Sequence, residues 1–161
     1  MKNLRKFLVF VLFALATVFA FSMNSVKAAD TWKLVKDVAT LKAGDQIVIV
    51  AVDYAYALST KQNGNNRGQA QIVKNAEEAE ITNEVQVLTL EAGTVANTFA
   101  FNTGNGYLYA ASSSDNYLRT ETQLSANSSW SITITDGVAT IIAQGNYTRN
   151  WMRYNNSSKI F

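Results

Sequence analysis

Trp130-Ser131-Ile132-Thr133-Ile134-Thr135-Asp136-Gly137-Val138-Ala139-Thr140-Ile141-Ile142-Ala143 is the stretch that decides the fold class. Two runs rich in β-branched residues flank a single Asp-Gly pair. Asp-Gly accepts the two positive φ angles of a tight hairpin turn, so the stretch predicts two antiparallel strands joined at Asp136-Gly137. The same grammar extends outward. Thr98 to Phe101 passes through Asn102-Thr103-Gly104-Asn105-Gly106 into Tyr107-Leu108-Tyr109-Ala110, a second expected hairpin. Val85 to Leu90 alternates and reads as a strand, with Val85, Val87 and Thr89 on one face. Asp45 to Val52 is apolar and β-branched behind Gly44, and it reads as a buried strand. Two places depart from this pattern. Lys74 to Glu80 is charged and rich in helix formers, which predicts a short solvated helical turn. Val35 to Leu41 is expected to hold another turn, with Leu41 dropping into the core. The expected fold class is all-β.

The start of the chain has a different composition. Lys2, Arg5 and Lys6 precede an apolar run from Phe7 to Phe21, and Val26-Lys27-Ala28 supplies small residues at a cleavage position. Basic, apolar and small segments in that order form a secretory leader. The apolar run is shorter than the roughly 20 residues a bilayer span requires. Residues 1–28 are expected to be removed after Ala28, leaving 29–161 as one secreted or cell-surface domain. No cysteine lies near the cut to carry a lipid.

Removing the leader reverses the charge. Four of the 14 basic residues leave with it and all 12 acidic residues remain, so the mature net charge is −2. The basic character of the whole chain therefore does not point to nucleic acid. Cys and His are both absent. That removes the thiolate nucleophile, soft-metal sites and the commonest general base. No catalytic residue, metal or cofactor is expected, and the acidic residues form no carboxylate pair of the kind a glycosidase uses.

Aromatic strands recur around Tyr56, Tyr107 and Trp151, spaced by 51 and 44 residues. Each belongs to a similar cycle of strands and Asn/Gly loops. A weak threefold repeat of this length predicts a single antiparallel barrel of β-trefoil type, with another small barrel or sandwich as the alternative. Ser158-Lys159-Ile160-Phe161 reads as a strand just beginning, so the domain is expected to be truncated at its C-terminus. Trp32, Trp130 and Trp151 are expected to anchor the core; Trp151 has the weakest case, because it follows a polar loop directly.

Trp32-Lys33-Leu34-Val35, Leu41 to Ala51, Tyr107 to Ser114 and Arg153-Tyr154-Asn155 occur in that order. This pattern resembles an uncharacterised β-rich accessory domain of secreted and surface proteins from gut bacteria. The resemblance implies an accessory role, sometimes beside Ig-like modules or secreted nuclease domains. It carries over no catalytic residues.

Several loops share one chemistry: Gln62 to Arg67, Asn102 to Gly106, Ser112 to Asn116 and Gly145 to Trp151. Their amides both donate and accept hydrogen bonds, and the neighbouring aromatic rings can stack on flat ligand surfaces. Tight turns use the same residues. The expected ligand-binding set is Tyr107, Tyr147 and Trp151 with Asn105, Asn146 and Asn150. The expected function is a secreted, non-catalytic accessory module that binds an extracellular ligand, a neutral glycan foremost. A structural spacer in a larger surface protein is one alternative. A nucleic-acid-binding accessory domain is another, on the strength of Arg119, Arg149, Arg153 and Lys159.

Overall fold

A computed structural model describes residues 30–161; the leader expected over residues 1–28, with its expected cut after Ala28, lies outside the described residues. The strands are β1 (Asp30–Lys33), β2 (Gln46–Ile47), β3 (Tyr56–Asn63), β4 (Asn66–Gln71), β5 (Val73–Lys74) and β6 (Glu78–Ile81). They continue with β7 (Leu88–Ala92), β8 (Phe99–Asn102), β9 (Tyr107–Ala110), β10 (Leu118–Glu121), β11 (Ser129–Thr135) and β12 (Val138–Ala143). Among the described residues no helix is long and apolar enough to cross a membrane.

The Asp-Gly hairpin forms as its sequence dictates. Asp136 and Gly137 take φ of 52° and 77°, the left-handed pair that a type I′ turn needs. β11 and β12 pair in continuous register from Trp130↔Ala143 to Thr135↔Val138. β8 and β9 meet at Asn102↔Tyr107 across the Asn/Gly link.

All pairings are antiparallel, in three sheets. The largest runs β10-β9-β8-β11-β12, with β7 added to β8 and β2 to β7. β3 and β4 form a second sheet, and β1-β6-β5 a third. The continuous ladders do not close into a barrel. Single bridges join the pieces instead. Leu58 donates its N–H to Ile49 O and accepts from Gln86 N, both at 2.8 Å. Phe161 N donates to Arg67 O at 2.9 Å, and Ile142 bridges to Trp151.

One core serves all three sheets. Ile47, Leu58, Leu88, Leu90, Phe101, Leu108 and Ile141 are buried together with Trp32 and Trp130. Trp130 stacks on Phe101 with centroids 5.8 Å apart, and its indole N–H donates to Leu108 O at 2.9 Å, which satisfies the one polar atom the ring buries. Arg67 is also buried, donating to Thr60 O at 2.8 Å and to Gln86 Oε1 at 3.3 Å. Burial lowers its pKa from the usual arginine value.

The structure corrects four sequence expectations. Lys74 to Glu80 is not a helical turn: Val73–Lys74 and Glu78–Ile81 are strands around a bend in which Asn75 Oδ1 accepts from Glu77 N. Pairing with β1 places Ala79 opposite Trp32 and buries it, and that burial outweighs a helix propensity of a few tenths of a kcal/mol per residue. Asp45 to Val52 forms ladder only at Gln46–Ile47, with a bridge at Val50. Ile47 to Val50 are nevertheless all buried, since the run is covered on both sides. The strand read over Val85 to Leu90 begins at Leu88. Trp151 does not join Trp32 and Trp130 in the core, being 53% exposed. Other expectations hold: a 3-10 turn spans Val38–Thr40, and Leu41 behind it is buried.

Candidate functional site

After β12 the chain loops out and returns alongside the same strand. Ala143 N donates to Asn150 O, and Asn150 Nδ2 donates to Ala143 O, both at 2.9 Å. Met152 N donates to Ile141 O at 3.0 Å. Successive side chains of an extended segment alternate. Met152 accordingly packs against the core while Trp151 stands outward. The loop is tied across to the β9–β10 connection, where Thr148 N and Oγ1 donate to Ser113 Oγ and O at 3.2 and 3.1 Å.

This return segment forms one wall of a cleft of about 340 Å³. The floor is apolar: Ala110, Leu118, Trp130 and Phe161 are all buried there. The rim is polar and comes from distant parts of the chain. Asn66 of β4 reaches it because its Oδ1 accepts from Leu118 N at 3.0 Å. Asn116 and Tyr117 come from the β9–β10 connection, and Asn155 from the bend before Ile160. Asn66 and Asn155 direct their Oδ1 atoms to backbone N–H groups, so their amide nitrogens are available to a ligand. Asn150 uses its nitrogen, which leaves its oxygen. Arg149 and Arg153 complete the rim, and the Arg153 guanidinium lies over the Trp151 ring, 4.4 Å from its centroid.

No protein-family model, curated protein or solved structure matches this chain. The site therefore rests on its own geometry.

Of the six residues expected to bind ligand, the structure brings Asn150 and Trp151 into the cleft. Tyr147 and Asn146 are exposed in the same loop but do not line the cleft. Tyr107 and Asn105 are elsewhere, on the β8–β9 hairpin. Tyr107 is half-buried and its hydroxyl donates to Glu91 Oε2 at 2.9 Å. That hydrogen bond, followed by burial and the carboxylate's charge, raises its pKa. Asn105 is exposed at the turn, where its N–H donates to Thr103 Oγ1 at 3.2 Å. Three of the four Asn-rich loops thus meet at one cleft, and the Asn102 to Gly106 loop does not contribute.

A second depression, about 270 Å³, shares Met152, Arg153 and Phe161 with the first. Tyr54, 40% exposed, and Tyr154 line it with centroids 5.4 Å apart. Tyr154 donates its hydroxyl to Gln69. Its pKa is raised, first by burial and then by the neighbouring Tyr56 and Tyr54. Sequence reading missed Tyr54, Tyr117 and Asn155, since no local pattern separates them from ordinary turn and strand residues. Among the described residues, no group of three or more His, Cys, Asp or Glu side chains is placed to hold a metal.

Proposed function

We propose that this chain is an exported, non-catalytic binding module that holds a glycan in the cleft between β4, the β9–β10 connection and the 144–153 segment. The observation that carries this reading is Trp151. A large ring stands 53% exposed at the lip of a concave site whose rim bears four asparagines. An exposed aromatic face stacks on the apolar face of a sugar ring, and amides donate to and accept from its hydroxyls. Binding is favoured over catalysis because the chain lacks His and Cys and no Asp or Glu side chain lines this cleft. Export is supported by the basic, apolar and small segments of residues 1–28.

The domain architecture proposed with this function is a trefoil-like closed form. The single bridges at Val50, Ser59, Gly68 and Ile142 run between ladders that would otherwise end. The strand pairs β7–β8 and β11–β12 recur with an aromatic segment after each, at Tyr107 and Trp151. On this reading the cleft lies where successive repeats meet.

A glycan array probed with the purified protein and with Trp151→Ala tests the function. Wild-type signal that Trp151→Ala loses supports it. Absence of any glycan signal, or signal unchanged in Trp151→Ala, defeats it.

A further inference from the structure

The mature chain carries a net charge of −2, which favours a neutral ligand only if charge is spread evenly. It is not. Arg149 and Arg153 both stand on the rim of the Trp151 cleft, and no Asp or Glu side chain lines it. The side-chain ion pairs found among the described residues, at Lys33, Lys36 and Lys61, involve neither arginine. Arg153 lies with its guanidinium over the Trp151 ring. Stacking occupies the face of a guanidinium and leaves its in-plane N–H groups pointing outward. A fork of donors held on an aromatic platform matches a carboxylate bidentately.

Building on the glycan reading above, we infer that the cleft selects acidic saccharides, with a sugar carboxylate seated on Arg153 and Arg149 beside the ring that stacks on Trp151. The asparagine rim then serves the hydroxyls. A nucleic acid fits less well. Its affinity depends on neutralising many phosphates along a backbone, and two arginines on an acidic domain supply a local contact without an extended basic track.

The experiment compares two ligands that share one sugar backbone and differ at the carboxyl group, an oligogalacturonate and its uncharged, fully methyl-esterified form, titrated calorimetrically into the purified protein. The free acid is expected to bind about tenfold more tightly, the size of one charge-assisted hydrogen bond. Arg149→Gln and Arg153→Gln should each cut that preference to about twofold, with the melting temperature unchanged, since both side chains are exposed. Equal affinity for acid and ester overturns the charge inference and leaves the glycan reading standing. If neither oligosaccharide binds and the glycan array is also blank, both fall. Tighter binding of a dT oligomer, lost steeply as salt rises, overturns the inference in favour of nucleic acid.

Discussion

Two links of this protein share a composition but differ in use. Asn102 to Gly106, before Tyr107, and Gly145 to Asn150, before Trp151, both combine Asn and Gly ahead of an aromatic segment. The first closes on itself. Asn102 Oδ1 accepts from Gly104 N at 2.7 Å, Thr103 Oγ1 accepts from Asn105 N at 3.2 Å, and Thr103 N donates to Gly106 O at 2.8 Å. Its aromatic residue then uses its hydroxyl on Glu91. The second link is anchored in its second half, by Thr148 on Ser113 and by Asn150 on Ala143. Beside those anchors it leaves Tyr147, Arg149 and Trp151 exposed. Asparagine near glycine thus marks a turn in both places, and it offers side chains to the proposed site only where the turn leaves them unengaged over a concavity.

The largest effect that would test this contrast lies at Gly106. It adopts φ of 131°, and a Cβ there would sit 2.4 Å from Glu121 O. Gly106→Ala should destabilise the domain by about 2–3 kcal/mol, because that backbone region is nearly closed to other residues. Urea denaturation measures it, and an unchanged midpoint would mean the first link is not the tight closure described. Gly145 sits at the base of the second link, where a Cβ would fall 1.9 Å from Asn127 Oδ1 and 2.7 Å from Asn127 Cα. Gly145→Ala should cost about 1–3 kcal/mol through overpacking. It should also weaken ligand binding, because the loop must shift to make room. Loss of stability with binding intact would show that the loop's position does not shape the cleft.

Trp151→Ala sharpens the contrast on the functional side. Binding should weaken by about tenfold or more, while stability changes by about 0.5 kcal/mol or less, as expected of an exposed side chain. Tyr107→Phe should do the reverse and leave binding untouched. Its signature is at high pH. The Tyr107 pKa is raised above 10.0 in the folded chain, so the folded state keeps its proton when the unfolded chain has lost it. The stabilisation this provides is present below pH 10 and falls away as the pH rises through the folded pKa. A denaturation series from pH 8 to 11 should show a shallower alkaline decline in Tyr107→Phe. Identical slopes would remove Glu91 from the account of that hairpin.

The hairpins were legible because their cause is local. Asp136-Gly137 and the glycines of the Asn102 to Gly106 link impose positive φ within a few residues, and no distant contact is needed to read them. Trp32 and Trp130 were legible as core because each is a large ring that begins or occupies an expected strand, and both are buried. Lys74 to Glu80 departs from its local pattern for the complementary reason. Its local preference is helical, and its strand state depends on β1, more than 40 positions earlier in the chain.

By itself, the amino-acid sequence determined the all-β class, the hairpin turns and the absence of His and Cys side chains. Only the tertiary structure decided where the cleft lies. It joins Asn66 to Leu118 across 52 positions and Thr148 to Ser113 across 35. It also turns Trp151 outward while Trp130 turns inward. Turn geometry is written in short-range steric limits, whereas a concave site is the meeting of segments whose register is set by the packing of the whole core.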